Sequence, residues 1–295
     1  MQKGIKTACV FCLSILTASL SVTTGCNEMS NDWQWETLTT TGQPEARHEA
    51  GLISYKGKIY LLGGRGLKPT SVFDPQNNQW KNKATPPLEI HHFQPVVYGN
   101  AIYIIGAMTG PWPNEEPLTN ILIYYPEKDE FEFGDSIPTH RRRGGAGVVT
   151  YNNKIYMVGG ITDGHMTGAR SWFDEYDPAT GQWNTLDNAP MARDHFQAVV
   201  VKDRLFTFAG RTTSKATDED ISLTVSHGNV YDFETGKWLP TREFLKIPTK
   251  RAGNSAFSWN GQIIMGGGES AAQEVAHSEV EVFDSDDNKW IIWPS

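Results

Sequence analysis

The sequence predicts an all-β protein, a β-propeller of five four-stranded blades whose ring is closed by an outer strand from one terminus. Three observations carry that prediction. One grammar of four short apolar runs separated by turn residues occurs five times. The aromatic that leads the third run and the aromatic that leads the fourth are seven residues apart in every copy: Phe73/Trp80, Tyr124/Phe131, Tyr176/Trp183, Tyr231/Trp238 and Phe283/Trp290. A pair of small residues ends each second run, with its second member at 64, 107, 160, 210 and 268. Repetition of a meander at this length is the signature of a radial all-β architecture.

The copies run in order along the chain. The first has apolar runs at 51–55 and 59–62 around Lys56-Gly57, then Gly63-Gly64. The second has runs at 95–98 and 102–105 around Gly99-Asn100, then Gly106-Ala107. The third, within residues 141–190, has 147–151, Asn152-Asn153, 155–158 and Gly159-Gly160. The fourth has 198–201, Lys202-Asp203, 205–208 and Ala209-Gly210, and the fifth 255–259, Asn260-Gly261, 263–265 and Gly267-Gly268. Those two-residue turns tolerate the positive φ of a tight hairpin, and the small pairs let backbones approach near the hub. Because the third-to-fourth spacing is fixed, the length variation sits in the loop after each small pair. For ring closure, residues 35–38 (WETL) match 183–186 (WNTL), and residues 290–293 also qualify. The N-terminal stretch is the expected closing strand.

Ahead of the repeats, Lys3 and Lys6 precede an apolar stretch at 8–22, too short for a membrane span and typical of an export signal. It ends Thr23-Thr24-Gly25-Cys26, which resembles a bacterial lipobox with Thr where that motif has Leu. The resemblance implies lipidation at Cys26 and attachment in the periplasm or at the cell surface. Ordinary signal cleavage nearby, giving a secreted protein, is the other reading. The expected organisation is a signal at 1–26, a tether at 27–32 and one propeller domain at 33–295. All three cysteines (Cys9, Cys12, Cys26) lie in the signal, so the mature domain has no disulfide and no thiolate chemistry. A net charge of −8 argues against nucleic acid as a partner.

Paired Gly, then Tyr-Asp or its equivalent, then Trp, repeated from 47 to 290, resembles the kelch repeat. The resemblance implies a kelch-type propeller, with the repeat Tyr and Trp side chains packed between blades. Galactose oxidase shares this type of propeller, but its copper site needs a Tyr cross-linked to a Cys, which the mature chain lacks. Some exported bacterial kelch proteins similar to this one are sialic-acid mutarotases or serve polysaccharide utilisation, which implies an acidic carbohydrate as one expectation. Protein-protein interaction is the general kelch role and supplies the alternative.

Blade topology gathers two sets of residues at one mouth of the hub. Ahead of the inner strands stand Arg47-His48-Glu49, His91-His92, Arg141-Arg142-Arg143, Arg193-Asp194-His195 and Lys250-Arg251; after the small pairs stand Arg65, Met108 with Trp112, Asp163 and His165, Arg211 and Glu269. Guanidinium forks suit carboxylate, sulfate or phosphate, and imidazoles move protons near neutral pH. The expectation is a pocket for a small anionic saccharide. Arg47, Arg65, His92, Arg142, Arg143, Arg193, Arg211, Arg251 and Glu269 would hold the ligand, and Trp112 would offer a stacking surface. His195, oriented by Asp194, and His165 would supply acid-base chemistry of the epimerase, mutarotase or lyase kind. Any single arginine has an ordinary structural role, bonding backbone carbonyls or a neighbouring blade's carboxylate. Several histidines converge, but no helical HxxxH or Cys pair sets a metal spacing, so no metal or cofactor is assigned. The alternative function is a cell-surface protein-interaction scaffold without catalysis.

Overall fold

A computed structural model describes residues 36–271 and 276–293. The export signal, Cys26, the tether at 27–32 and Trp35 lie outside the described residues. Each repeat folds as one antiparallel four-stranded meander. The blades are Ala50–Tyr55, Lys58–Gly63, Ser71–Asp74, Gln79–Asn82; Val96–Tyr98, Ala101–Ile104, Asn120–Tyr125, Glu130–Ser136; Gly147–Tyr151, Lys154–Val158, Phe173–Asp177, Gln182–Leu186; Ala198–Val201, Arg204–Thr207, Asn229–Asp232, Lys237–Trp238; and Ser255–Trp259, Gln262–Gly266, Val280–Asp284, Lys289–Trp293. Two small hairpins add to the mouth, Met108–Thr109 with Glu116–Pro117 and Ile161–Asp163 with Thr167–Ala169.

The constant spacing of seven is a register. Phe73 pairs with Trp80, Tyr124 with Phe131, Tyr176 with Trp183, Tyr231 with Trp238 and Phe283 with Trp290 across the third and fourth strands. The first-to-second turns take the positive φ their sequences allow, at Lys56-Gly57, Asn152-Asn153 and Asn260-Gly261 among others. At Gly159 the approach of blades is direct: a Cβ there would lie 2.6 Å from the Arg193 carbonyl of the next blade.

The strand that completes the last blade is C-terminal. Lys289–Trp293 pairs with Val280–Asp284, whereas residues 36–40 form no strand and Thr41 makes a parallel bridge to Gln79 on the outer edge of the first blade. The expectation of N-terminal closure is thereby corrected. The fifth repeat carries its own outer strand, so the matching N-terminal stretch finds that place filled.

Core packing runs between blades. One buried cluster joins blades one and two (Leu62, Phe93, Ile102), the next joins two and three (Ile123, Val148, Met157), and a third joins three and four (Phe173, Phe196, Leu205). A fourth joins four and five (Phe206, Phe208, Phe283), while Ile264, Val280 and Val282 cluster within blade five alone. Near the axis a chain of backbone bonds links successive blades: His92 N–H to Glu49 O, Gly145 to His92, His195 to Gly145 and Gly253 to His195, at 2.6–3.1 Å. All five of these residues have φ between 53° and 68°.

Gln94 ties three blades together. Its Oε1 accepts from Val148 N–H and Ala198 N–H, both at 2.9 Å, and its Nε2 donates to Ala198 O at 2.8 Å. Gln94→Ala leaves those strand groups without partners and is expected to lower stability by about 2 kcal/mol. Urea unfolding followed by tryptophan fluorescence checks this; an unchanged midpoint rules out a tying role for Gln94.

Candidate functional site

The arginines ahead of the inner strands belong to the wall. Arg47 Nη1 donates to Gly63 O, Arg143 Nε to Gly159 O, Arg193 Nη1 to Ala209 O and Arg251 Nη1 to Gly267 O, at 2.5–3.0 Å, and every one of these acceptors lies 16 residues downstream. In four of the five repeats the guanidinium thus plugs the end of its own second strand at the first residue of the small pair, and the second repeat has Ile90 at that position. Arg143, Arg193 and Arg251 are fully buried, and Arg143 and Arg251 also face Asp174 and Glu281. Arg142 bonds Ile137 O. Arg65 is held by Glu49, Glu115 and Gly110 O. The expected ring of free guanidinium groups is therefore corrected. These side chains are spent on carbonyls and carboxylates, because a propeller wall leaves strand-end carbonyls that need donors.

The mouth itself holds a cavity of about 450 Å³ lined by Glu49, His92, Trp112, His165, His195, Arg211, Asn254 and Glu269 among others. Of the predicted site residues it brings together His92, Trp112, His165, His195, Arg211 and Glu269. Arg211 donates to Thr213 Oγ1 at 2.9 Å and to Glu269 Oε1 at 2.6 Å, so the cation at the cavity is itself paired.

Three imidazoles form the floor. The rings of His92, His165 and His195 have centroids 4.7–4.9 Å apart, and His195 Nε2 lies 3.1 Å from His165 Nε2. Asp194 Oδ1 sits 2.5 Å from His195 Nδ1 and accepts from Thr213 Oγ1–H, while its Oδ2 accepts from Thr213 N–H at 2.9 Å. Glu115 is the carboxylate behind His165: Oε1 lies 2.9 Å from His165 Nδ1, and Oε2 accepts from His165 N–H at 3.1 Å. Behind His92 stands His91, with the two Nδ1 atoms 2.7 Å apart. Glu115 comes from the Pro-rich loop that carries Trp112. The loops of blades two and three meet there because Gly164, at φ 55°, admits Glu115 and Pro113 where a Cβ would be 2.6 Å away.

The sequence names His195, His165 and His92 but gives no sign of Glu115 or His91 as their partners. One signal was available for the rest. The third residue of each approach segment is Glu49, His92, Gly145, His195 or Gly253, and glycine in two copies marks a left-handed position. Holding Glu49, His92 and His195 in that conformation costs about 1–2 kcal/mol each, and such strain concentrates at functional sites.

Burial holds the imidazole of His195 well below its ordinary value, with Arg211 and the neighbouring imidazoles adding to the effect. Burial likewise lowers His92, and it lowers His91 to about 4. Burial raises Asp194 to about 6. Glu49 is held at about 2, His92 and Arg65 outweighing its own burial. An unfolded chain takes up protons on the histidines below about pH 6.5 while the folded state leaves them neutral. The stability they contribute is therefore present above that pH and is lost as pH falls toward the folded values. Asp194 opposes this as a single group against three. The urea midpoint is expected to drop between pH 7.5 and pH 5, and to drop less in His91→Asn; equal slopes in the two proteins would refute the assignment.

The family model described as the KLHDC2/KLHL20/DRC7 Kelch-repeats domain matches residues 96–294. The Kelch-like protein terF of Aspergillus terreus is 25% identical, with 94% of this chain and 64% of that protein aligned. Kelch-like protein 40 of Xenopus laevis is 25% identical over 66% of this chain and 31% of its own length. For alpha-scruin of Limulus polyphemus the figures are 28%, 62% and 20%. The chain thus spans less than two thirds of each of these relatives. The solved structure of YjhT, 16% identical, superimposes with a TM-score of 0.70 over 84% of each chain, which is a likeness of fold. Five register-matched repeats and the match over 96–294 lead to one statement of identity: the chain belongs to the kelch-repeat family.

Proposed function

We propose that this kelch propeller is an exported protein-interaction module that grips its partner with the loop face around the cavity. The observation that carries this reading is the placement of exposed apolar side chains. Leu67, Trp112, Ile221 and Leu223 are 60%, 53%, 40% and 38% exposed, and all stand in loops that follow the small pairs, on the side where the cavity opens. Trp112 and Ile221 line the cavity itself. Large apolar groups around a concave centre are what a protein partner uses. Cavity charge points the same way: Glu49, Asp220 and Glu269 line it, and its arginine is already paired with Glu269. A projecting segment with an apolar anchor and a cationic group fits such a mouth better than an acidic sugar does. Export is carried by Lys3, Lys6 and the apolar stretch at 8–22.

The test is in-cell cross-linking of the tagged full chain in its source organism, with mass-spectrometric identification of neighbours. A partner captured by wild type is expected to be lost, by tenfold or more, in Trp112→Ala/Ile221→Ser. A melting temperature raised by uronates, sialates or sulfated glycans, and not raised in Arg211→Ala, would replace this reading with the saccharide one.

A further inference from the structure

We propose that His92, His165 and His195 form a binding site for a divalent transition-metal ion of the zinc class, with one coordination position open to the cavity. The inference is independent of the partner reading above. Its core is a conflict of lone pairs. His195 Nδ1 points at Asp194 Oδ1 at 2.5 Å, and His165 Nδ1 points at Glu115 Oε1 at 2.9 Å. A carboxylate oxygen only accepts, so both Nδ1 atoms carry the proton, and in the neutral imidazoles both Nε2 atoms present lone pairs. Yet the two Nε2 atoms face each other at 3.1 Å. Acceptor against acceptor is repulsive unless something positive lies between them. Two imidazoles on one tetrahedral ion, each bond about 2.1 Å, put their nitrogens about 3.4 Å apart.

His92 completes the set. Its nitrogen lies within 4.8 Å of ligand atoms on both other imidazoles. With His91 Nε2–H donating to Gly110 O at 3.2 Å, His91 Nδ1 accepts from His92 Nδ1–H at 2.7 Å. His92 Nε2 then presents its lone pair. Glu49 Oε1, 3.4 Å from that atom, stands beside the same point. Each imidazole is backed on its far nitrogen, by Asp194, Glu115 or His91, which is the outer arrangement that fixes the tautomer and orientation of metal-bound histidine. Nitrogen ligands select zinc-class ions over magnesium or calcium. Three protein ligands with an open fourth position are the pattern of a site that binds a water or an exchangeable ligand. The ligands come from three blades, so no local sequence spacing announces them.

The experiment uses the full chain, stripped with chelator and titrated with Zn²⁺ by calorimetry. One ion per chain is expected, with affinity reduced at least 100-fold in His165→Asn/His195→Asn and unchanged in His227→Asn, which lies outside the cluster. Glu115→Gln is expected to weaken binding about 10- to 100-fold. Absence of stoichiometric binding by wild type, or equal binding by the double variant, overturns the proposal. If the double variant does not fold, Co²⁺-loaded wild type decides. Three paramagnetically shifted, exchangeable imidazole N–H resonances are expected, and fewer than three overturns it.

Discussion

Arg193→Ala is expected to lower the stability of the propeller by about 3–5 kcal/mol, among the largest effects of any single substitution. Arg193 is 1% exposed. Its Nη1 donates to Thr207 O and Ala209 O at 3.1 and 2.8 Å, and its Nη2 to His227 O and Asn229 Oδ1 at 2.8 and 3.0 Å. Truncation strands three buried acceptors and one half-buried one between the second and third strands of blade four, and each loses a bond to a charged donor, worth about 1.5–3 kcal/mol where measured singly. Burial also pushes the guanidinium down to about 9, so the charge is tolerated because these acceptors surround it. Arg193→Lys is expected to lose most of the same stability, since an ammonium cannot span four acceptors arranged for a planar fork. Arg47, half-buried with fewer partners, gives a smaller loss. Urea unfolding of the four proteins decides the matter. A stable Arg193→Ala with a lost ligand would return this residue to the mouth and undo the reading of the wall.

That contrast shows how far the repeats were legible. Copies of one grammar reveal register, because Phe73/Trp80 and its four counterparts keep one spacing wherever a hairpin is fixed. They also carry the role of the arginines, in the 16 residues that separate Arg47, Arg143, Arg193 and Arg251 from their carbonyls. A side chain that recurs at a fixed distance from a repeat landmark is serving the repeat. The residues that differ between copies at one position, Glu49, His92 and His195 against Gly145 and Gly253, are free of that service and reach the cavity. What sequence could not show is pairing across loops of different length. Glu115 meets His165 because two hairpins of unequal size touch at Gly164, and nothing in either loop alone sets that distance. Likeness of residues misleads about the closing strand for a related reason. The N-terminal 35–38 stretch has the right residues, but the register within blade five already supplies Lys289–Trp293.

Glu115 is accordingly the residue whose loss should reshape the mouth. It is 2% exposed and joins three blades: its own loop, Arg65 of blade one, and both the ring and the backbone N–H of His165 in blade three. His165 and Arg65 hold its carboxyl well below the usual range against the pull of burial. Glu115→Leu keeps the bulk but leaves a guanidinium with one carboxylate instead of two and an imidazole without its acceptor. The expected loss is about 3 kcal/mol, the scale seen when one partner of a buried pair is removed. Because the bonds broken are between loops, the effect should be local. Amide hydrogen exchange is expected to rise at least tenfold for His165 and the hairpin Ile161–Asp163, with the inner strands Gly147–Tyr151 and Ala198–Val201 still protected. Glu115→Gln retains the shape and one acceptor oxygen, so it should cost less than half as much and leave the hairpin protected. Uniform exchange across blade three in Glu115→Leu would instead mean that the carboxylate supports the blade, and the loops would then owe their positions to the strands beneath them.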